Sequence, residues 1–552
     1  MPFVETFSHF FFTYSSHDIS GIRNYVKGLL QGKRRAKNIE RIDESVKGSL
    51  YQNLHHKIAV SPWDHRPVMD EIARQADGLL GGSGHTRLVL DDFATEKKGK
   101  KTVGVARQYN GRLGKVDNCQ ISVCASLAVG QRSTLVDIQN YLPEPWCQDA
   151  ARCEGAGIPE KDRSFRSKTQ IALESILHLR EIKVRFDIIS MDSGYGSQTP
   201  FLHDLDAIEE TFIAETHCSQ HVFLEAPWPH TQPRRGSGLL QRARPSIASI
   251  RVDQWAAEQP ETDWKRLKIR DSDQGWVEVS YLSRRIWMMD GEIQKTWWLL
   301  VWENPDERRH EGKNTKGPRR HYALSNAPAD ADERRLVADG VERNVIEQNF
   351  RDAKSEVGMS DYQVRQWQPW QHHMALVMLA MLFLLKERMQ WDRAPVVPES
   401  PESPESPESP ESPESPESPE SPESPESPES PESPESPESP ESPESPDSPE
   451  SPDSPESPVS PEPPESPEPR EQRGDQRAEK ASSEEMVSLT CGDIVFMLEK
   501  LLPEKGRGKP DVEECRKLLE KRLLQRHWDQ TRRKRKTRES RPPFFPDEIL
   551  PE

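Results

Sequence analysis

Cysteine is scarce in this 552-residue chain, and its cysteines are not spaced as metal ligands or redox pairs. There are seven, an odd number, and no two of them form a CxxC motif. A disulfide framework or a zinc ribbon needs paired cysteines, so neither is predicted. The pattern is typical of a protein from a reducing cytoplasm.

The chain also lacks a long apolar run. The longest, Met374 to Leu385, has 12 residues and is followed by Lys386. It is too short to cross a bilayer and predicts a buried helix. The apolar HFFF run near residue 10 has no cationic start, so no export signal is predicted. We therefore expect a soluble, cytoplasmic protein.

Basic residues are absent from one stretch. Residues 398–469 contain 23 acidic and no basic residues, so the rest of the chain, with 70 acidic and 75 basic residues, is mildly basic despite an overall net charge of −18. Basic clusters such as the four lysines within 97–101 suit a polyanionic partner such as nucleic acid, although a solvated surface is the alternative.

The acidic stretch is an almost perfect Pro-Glu-Ser repeat. Proline at every third position removes backbone donors, and the like charges repel one another. These properties predict a disordered, extended linker with no chemistry of its own.

The order of predicted elements indicates an α/β fold. Residues 1–80 have the pattern of short helices, and strand-like runs begin at residue 87. The successive elements are strands over 87–92, 103–109 and 120–129, a helix over 166–182, a strand over 184–190, a helix over 199–211 and a strand over 212–216. Three strands, helix, strand, helix, strand is the order of a ribonuclease-H-like (RNase H-like) mixed sheet.

The remaining composition predicts how this core is divided and flanked. Tryptophan-rich β-like runs after residue 217 interrupt the core, and two helices with a basic run follow the repeat. We predict a helical N-terminal DNA-binding region over 1–80, the first part of the core over 81–217, a β-rich insertion domain over 218–335, the rest of the core over 336–394, a disordered linker over 395–470 and a helical, basic C-terminal tail over 471–552. A helical cap without DNA binding is the alternative for residues 1–80.

A charged helix is predicted within Val341–Trp367. On a helix, Arg343, Glu347, Phe350 and Lys354 follow at steps of four, three and four, and therefore share one face. One interpretation is a solvated ion-pair stripe. Two distant aspartates favour a different interpretation.

Asp92 and Asp192 each stand at the C-terminal end of a predicted buried strand. Together with Glu347 they form three carboxylates from separated segments, the hard oxygen ligands that Mg²⁺ prefers. With two ions bound, such a site can carry out in-line phosphoryl transfer. Any single aspartate at a strand end can also be a turn or helix cap.

Four blocks of this sequence, in this order, resemble the bacterial insertion-sequence DDE transposases, and in particular the insertion sequence 701 branch. The blocks occupy residues 91–120 (DDFATEKKGKKTVGVARQYNGRLGKVDNCQ), 191–196 (MDSGYG), 322–330 (YALSNAPAD) and 342–367 (ERNVIEQNFRDAKSEVGMSDYQVRQW). The resemblance implies cut-and-paste transposition. A homodimer would bind double-stranded DNA at terminal inverted repeats, cleave it with Mg²⁺ (or Mn²⁺ as a substitute) and transfer the ends to target DNA. It further implies a bacterial cytoplasmic protein that associates with the nucleoid when bound to DNA.

Carried over residue by residue, the resemblance implies that Asp92, Asp192 and Glu347 are the catalytic and metal-binding triad. Asp91 is the alternative for the first position. Asp92 aligns better because it directly precedes the FATEKKG segment.

The Tyr-Arg-Glu-Lys signature of this branch implies two DNA-binding residues, Arg343 and Lys354, which would hold transposon-end phosphates. The tyrosine of the signature is replaced here by Gly340. A catalytically impaired or domesticated DNA-binding protein is therefore the alternative function.

Overall fold

The computed structural model describes most of the chain outside the repeat. The described ranges are residues 1–13, 17–34, 36–111, 113–227, 247–272, 275–290, 293–308, 318–393, 488–502 and 511–540. The Pro-Glu-Ser linker predicted over 395–470 lies outside them.

Helices flank a large sheet in the described part of the chain. The α-helices are α1 (Pro2–Glu5), α2 (Ser20–Gln31), α3 (Ile39–Ser45), α4 (Tyr51–His55), α5 (His65–Leu80), α6 (Glu144–Cys147), α7 (Ala150–Gly155), α8 (Lys168–Glu181), α9 (Ser193–Gly196), α10 (Thr199–Ala207), α11 (Val252–Glu258), α12 (Glu333–Val341), α13 (Val345–Ser355), α14 (Trp367–Arg393), α15 (Cys491–Leu501) and α16 (Val512–Ser540). The strands are β1 (Arg87–Glu96), β2 (Ala106–Asn110), β3 (Lys115–Val129), β4 (Arg132–Asn140), β5 (Ile188–Met191), β6 (Phe212–Glu215), β7 (His221–Val222), β8 (Ile250–Arg251), β9 (Lys265–Ser272), β10 (Gly275–Asp290), β11 (Ile293–Arg308) and β12 (Pro318–Ser325).

Five of the first six strands, β1 and β3 to β6, build a mixed sheet. β3 pairs antiparallel with both β1 and β4, whereas β1, β5 and β6 run parallel. The resulting order β4-β3-β1-β5-β6 fits the predicted ribonuclease-H-like core. Right-handed crossovers between parallel strands need helices, and α8 and α10 occupy the two intervals of the sequence.

Two details of the predicted strands are wrong. The third long strand of the meander is β4, which the sequence pattern missed, while only part of the predicted 103–109 strand forms the short β2 beside β3. Strand β1 also continues past residue 92, because Thr95 and Glu96 still pair with Gln120 and Cys119 of β3. The aspartates of β1 therefore lie inside the strand rather than at its end.

The β-rich segment predicted over 218–335 extends the core sheet. Ala323 and Leu324 of β12 pair with Glu215 and Ala214 of β6, and β11, β10 and β9 follow in order. Of its tryptophans within the described ranges, Trp276 is 39% exposed and the rest are buried (Trp255, Trp297 and Trp302) or half-buried (Trp264, Trp287 and Trp298).

The predicted buried helix over 374–385 is the centre of α14. All of these residues except the half-buried Phe383 are buried, against α2, α5 and other elements. No helix in the described ranges is both long enough and apolar enough to cross a membrane. The two predicted C-terminal helices correspond to α15 and α16, and α15 packs against α2 and α14.

The segment Val341–Trp367 is not one helix. A 3₁₀ turn over Glu342–Asn344 separates α12 from α13, and α13 ends at Ser355. Gly358, with φ +68°, lies in the non-helical stretch that follows. Arg343 therefore lies in the turn before α13, whereas Glu347 lies in the first turn of the helix.

Candidate active site

The two neighbouring aspartates of β1 point to opposite faces of the sheet, because successive side chains of a strand alternate. On one face, Val89 packs against the start of α13, and the Phe93 ring lies 5.1 Å from that of Phe350. Asp91 shares this face with Val89 and Phe93, so its side chain is directed towards α13. Asp92 is directed to the other face.

Both carboxylate oxygens of Asp92 have partners on that other face. The Tyr195 hydroxyl donates to Asp92 Oδ1 at 2.6 Å, and Lys168 Nζ donates to Oδ2 at 2.5 Å. Burial, and then the nearby Asp92 charge, raise the pKa of Tyr195 well above its usual range, so the phenol stays protonated as a donor. Asp92 thus connects β1 to α8 and α9.

Asp192 follows β5 directly and lies beside Asp91. Leu90 of β1 is paired with Met191 of the parallel strand β5, so the next residues of the two strands are neighbours. The Asp192 side chain also caps α9, with Oδ1 accepting from the Gly194 amide at 3.0 Å. The cap fixes its carboxylate at the end of the strand.

The negative charges of Asp91 and Asp192 repel each other. Burial and the neighbouring Asp192 raise the pKa of Asp91 to about 8, although the Arg343 charge acts in the opposite direction. Burial also raises the pKa of Asp192, with Arg343 lowering it and Asp92 raising it further. Two buried carboxyls this close resist ionising together unless a cation is present.

Arg343 lies among the carboxylates. Its Nη1 is 3.6 Å from Asp91 Oδ2, its Nε is 3.2 Å from Glu215 Oε1, and its Nη2 is 3.5 Å from Glu347 Oε1. Burial lowers the pKa of the guanidinium, but Glu215, Asp91, Asp192 and Glu347 outweigh burial and raise it overall. The side chain is only 12% exposed, and its Nη1 is buried without a hydrogen bond.

The two glutamates around Arg343 differ in exposure. The Glu347 side chain is 57% exposed, whereas that of Glu215, at the end of β6, is 17% exposed. Glu215 also lies 3.6 Å from His321 Nδ1. Burial raises the pKa of Glu215, but hydrogen bonding to His321 and the charge of Arg343 lower it overall.

Sequence reasoning did not single out Glu215, Lys168 or Tyr195. Glu215 carries a usable signal, because it ends the strand that follows β5 in the parallel part of the sheet. Lys168 and Tyr195 carry none, since their contact with Asp92 depends on how α8 and α9 are placed.

Part of the chain is similar to known proteins. Residues 10–276 match the family described as DDE superfamily endonuclease. This region is thus similar to the DDE superfamily of endonucleases. A relative from Microchaete diplosiphon, the "Probable transposase for insertion sequence element IS701", is 28% identical over 200 residues, which cover 36% of this chain and 49% of that protein. The chain thus spans about half the length of the relative it matches.

The match to the DDE superfamily covers only part of the candidate site. Asp91, Asp92 and Asp192 lie inside residues 10–276, whereas Arg343 and Glu347 lie beyond it. Two sets of contacts join the matched region to the segment that follows it. Arg343 contacts Asp91 and Glu215, and Val345 and Ile346 of α13 pack on Val89.

DDE endonucleases use divalent metals, and the carboxylates of this site fit such an ion in part. Asp91 and Asp192 have oxygen ligands of the kind that a divalent metal prefers, and burial, the largest cause, raises the pKa of both carboxyls. Within the ranges described above, no three His, Cys, Asp or Glu side chains converge as a ligand set. Arg343 stands between Asp91 and Glu347, so a site with all three carboxylates requires its guanidinium to withdraw.

The two remaining positions of the Tyr-Arg-Glu-Lys signature, 340 and 354, lie on α12 and α13. Lys354 lies on α13, two turns after Glu347, and is half-buried. Gly340, at the position of the signature tyrosine, is buried on α12. A Cβ atom there would lie 2.9 Å from both Ile213 Cδ1 and Trp302 Cη2, so Trp302 of β11 occupies the space beside this position.

Replacing Gly340 by alanine is expected to destabilise the protein although alanine favours helices. The new methyl group collides with the Trp302 ring, and overpacking of a core costs about 1–3 kcal/mol. Denaturant unfolding measures the effect. The matched control is Gly78→Ala on the exposed part of α5, where a Cβ atom has no neighbour within 4 Å, and where we expect a gain of about 1 kcal/mol. A stabilising Gly340→Ala would contradict the packing described here.

Proposed function

We propose that this protein is a DNA transposase that cuts double-stranded DNA at the terminal inverted repeats of an insertion sequence and transfers the ends to target DNA. One observation carries the proposal. Asp91 of β1 lies beside Asp192, which directly follows the parallel strand β5, and Arg343 contacts both Asp91 and Glu347 of α13. The match to DDE endonucleases and to a probable insertion-sequence transposase supports the same activity.

We assign the first metal-binding carboxylate to Asp91 rather than to Asp92. Asp91 is on the face of β1 that α13 covers, whereas both oxygens of Asp92 are engaged by Tyr195 and Lys168. In this assignment Asp91, Asp192 and Glu347 hold the metal, and Asp92 is a positioning residue. Asp92 remains the choice favoured by sequence alignment, and mutagenesis can separate the two.

The metal supplies activation of the attacking water or 3′-hydroxyl and stabilisation of the leaving oxygen, with Mg²⁺ as the expected ion and Mn²⁺ as a substitute. The protein itself contributes cationic side chains that balance the carboxylates and position the DNA. Arg343 neutralises the carboxylates in the metal-free state and, once displaced from them, is placed to hold a DNA phosphate. Lys354, further along α13, is proposed to bind a second phosphate.

A cut-and-paste reaction needs both transposon ends in one complex, so we propose a homodimer that acts in the bacterial cytoplasm and associates with the nucleoid through DNA. This assembly rests on the resemblance to insertion-sequence transposases. Sedimentation of the protein with and without inverted-repeat duplex would test it.

The activity is tested with labelled duplexes that carry the inverted repeats flanking the gene. We expect nicking in Mg²⁺, loss of nicking in EDTA, and loss of nicking in Asp192→Ala and Glu347→Ala. No nicking by the natural protein, or nicking that survives both substitutions, would contradict the proposal.

A second candidate function is a DNA-binding protein derived from a transposase. It is favoured by Gly340, because Trp302 fills the space beside the position of the signature tyrosine. Such a protein would bind the inverted repeats without cutting them, so the nicking experiment separates the two functions.

Deletion of residues 398–469 is expected to leave the cleavage rate unchanged within about twofold, because their Pro-Glu-Ser composition predicts an extended linker, which would position no catalytic group. The deletion removes 23 acidic residues and no basic ones. Initial nicking rates at matched salt provide the measurement, with a scrambled repeat of the same composition as the control. Complete loss of cleavage would show that the repeat has a direct role.

A further inference from the structure

A cleft with a volume of about 1310 Å³ lies beside the loop that follows β1. Its walls come from the N-terminal helices α2 and α4, from α7, and from the segment between α13 and α14. None of the residues described as lining it is acidic. Six are cationic, namely Lys97, Lys98, Lys100, Lys101, Arg152 and Arg365.

The lysine-bearing loop is held in place by neighbouring elements. Asn118 Nδ2 of β3 donates to the Gly99 carbonyl at 3.0 Å. Arg152 Nη2 of α7 donates to the Lys100 carbonyl at 3.0 Å, and the Arg152 guanidinium stacks on the Trp146 ring at 3.7 Å. A fixed loop presents its side chains at lower entropic cost than a free one.

The loop exposes three ammonium groups. Lys98, Lys100 and Lys101 are exposed, whereas Lys97 is half-buried with its Nζ 3.5 Å from the centre of the Tyr362 ring. The fold thus holds several positive charges close together, and no acidic residue among those described as lining the cleft offsets them. Such a cleft favours a polyanion as its ligand.

The position of the loop on β1 gives the distance to the candidate active site. Lys97 directly follows the last residue of β1 and comes six residues after Asp91. At about 3.3 Å per residue, the cleft begins roughly 20 Å from the carboxylates. Successive phosphates of one DNA strand are about 3.4 Å apart along the axis, so this distance corresponds to roughly six base pairs.

We propose that this cleft binds the phosphate backbone of duplex DNA about six base pairs from the phosphodiester that is cut. The inference rests on the proposed function and adds a second contact surface to it. A duplex that reaches the carboxylates and continues along β1 passes this loop. Phosphate contacts here would hold the duplex in register without reading its sequence.

The test uses the full chain with the double substitution Lys98→Gln and Lys101→Gln. Binding of the inverted-repeat duplex is measured by fluorescence anisotropy in EDTA at several salt concentrations, so that no cleavage occurs. We expect affinity at 0.1 M salt to fall about 10- to 50-fold, and the slope of log K against log salt to become shallower by about two. Ethylation interference should place the lost contacts roughly six base pairs from the cut.

The matched control is Lys161→Gln with Lys183→Gln, two exposed lysines outside the cleft. It should leave the salt slope unchanged, and thermal unfolding should show that both variants are folded. A cleft variant that binds like the natural protein, or lost contacts elsewhere on the duplex, would overturn the inference while leaving the proposed function intact. Tighter, Lys98-dependent binding of a matched RNA would also overturn it. Absence of nicking in Mg²⁺ by the natural protein would instead contradict the proposed function.

Discussion

Asp91→Asn is expected to lower the rate of inverted-repeat cleavage by at least about 10³-fold, which corresponds to roughly 4 kcal/mol of transition-state stabilisation. The substitution removes a charged oxygen ligand from the pair formed with Asp192 and keeps the shape of the side chain. Single-turnover nicking in saturating Mg²⁺ measures the effect. DNA binding in EDTA should be close to that of the natural protein.

The control is the adjacent substitution Asp92→Asn. It weakens the contacts with Tyr195 and Lys168, and we expect a smaller loss of activity accompanied by a lower melting temperature. Higher Mg²⁺ should not rescue Asp91→Asn. If Asp92→Asn abolishes cleavage and Asp91→Asn does not, the assignment based on the face of β1 is wrong and the alignment is right.

This pair of residues shows where prediction from sequence ends. The run RLVLDDF indicates a buried strand ending in acids, and the alternation of a strand separates Asp91 from Asp92. Both faces of β1 are apolar, with Leu88 and Leu90 on one and Val89 and Phe93 on the other. The pattern therefore cannot tell which face α13 covers, and only the packing of Val345 and Ile346 on Val89 decides it.

Arg343→Gln is expected to destabilise the metal-free protein by about 3–5 kcal/mol, because it leaves buried carboxylates without their cation. The Arg343 side chain is 12% exposed, and its guanidinium contacts Asp91, Glu215 and Glu347. Mg²⁺ should recover much of this loss, since a bound cation replaces the missing charge. The melting temperature is compared in EDTA and in Mg²⁺, and the Mg²⁺-induced increase should be larger in the variant than in the natural protein.

Arg351→Gln is the matched control for this experiment. Arg351 lies on α13 as well, is exposed, and donates to Gln348 at 2.8 Å. We expect a change within about 0.5 kcal/mol and no dependence on Mg²⁺. An Arg343→Gln protein as stable as the natural one in EDTA would show that the carboxylates do not depend on this guanidinium.

The core and the candidate site could be predicted to different extents. The element order indicated the ribonuclease-H-like sheet because strand and helix periodicities differ along the chain. It missed β4, and it could not show that β12 would pair with β6, since strand pairing between residues over 100 positions apart leaves no local signal. The position of Glu215 in the site depends on the same long-range pairing of β12 with β6, so it could not be predicted either.

The pairing of β12 with β6 also orders events during synthesis. Strand β6 leaves the ribosome more than 100 residues before its partner, and until then it is an open edge able to pair with another chain. Arg343 and Glu347 are made later still, after β12. A nascent or truncated chain that ends before residue 341 therefore carries the aspartates without the glutamate or the arginine, and lacks the groups assigned to cut DNA. Under this assignment, the protein gains its nuclease activity only after all strands of the sheet have been made and paired.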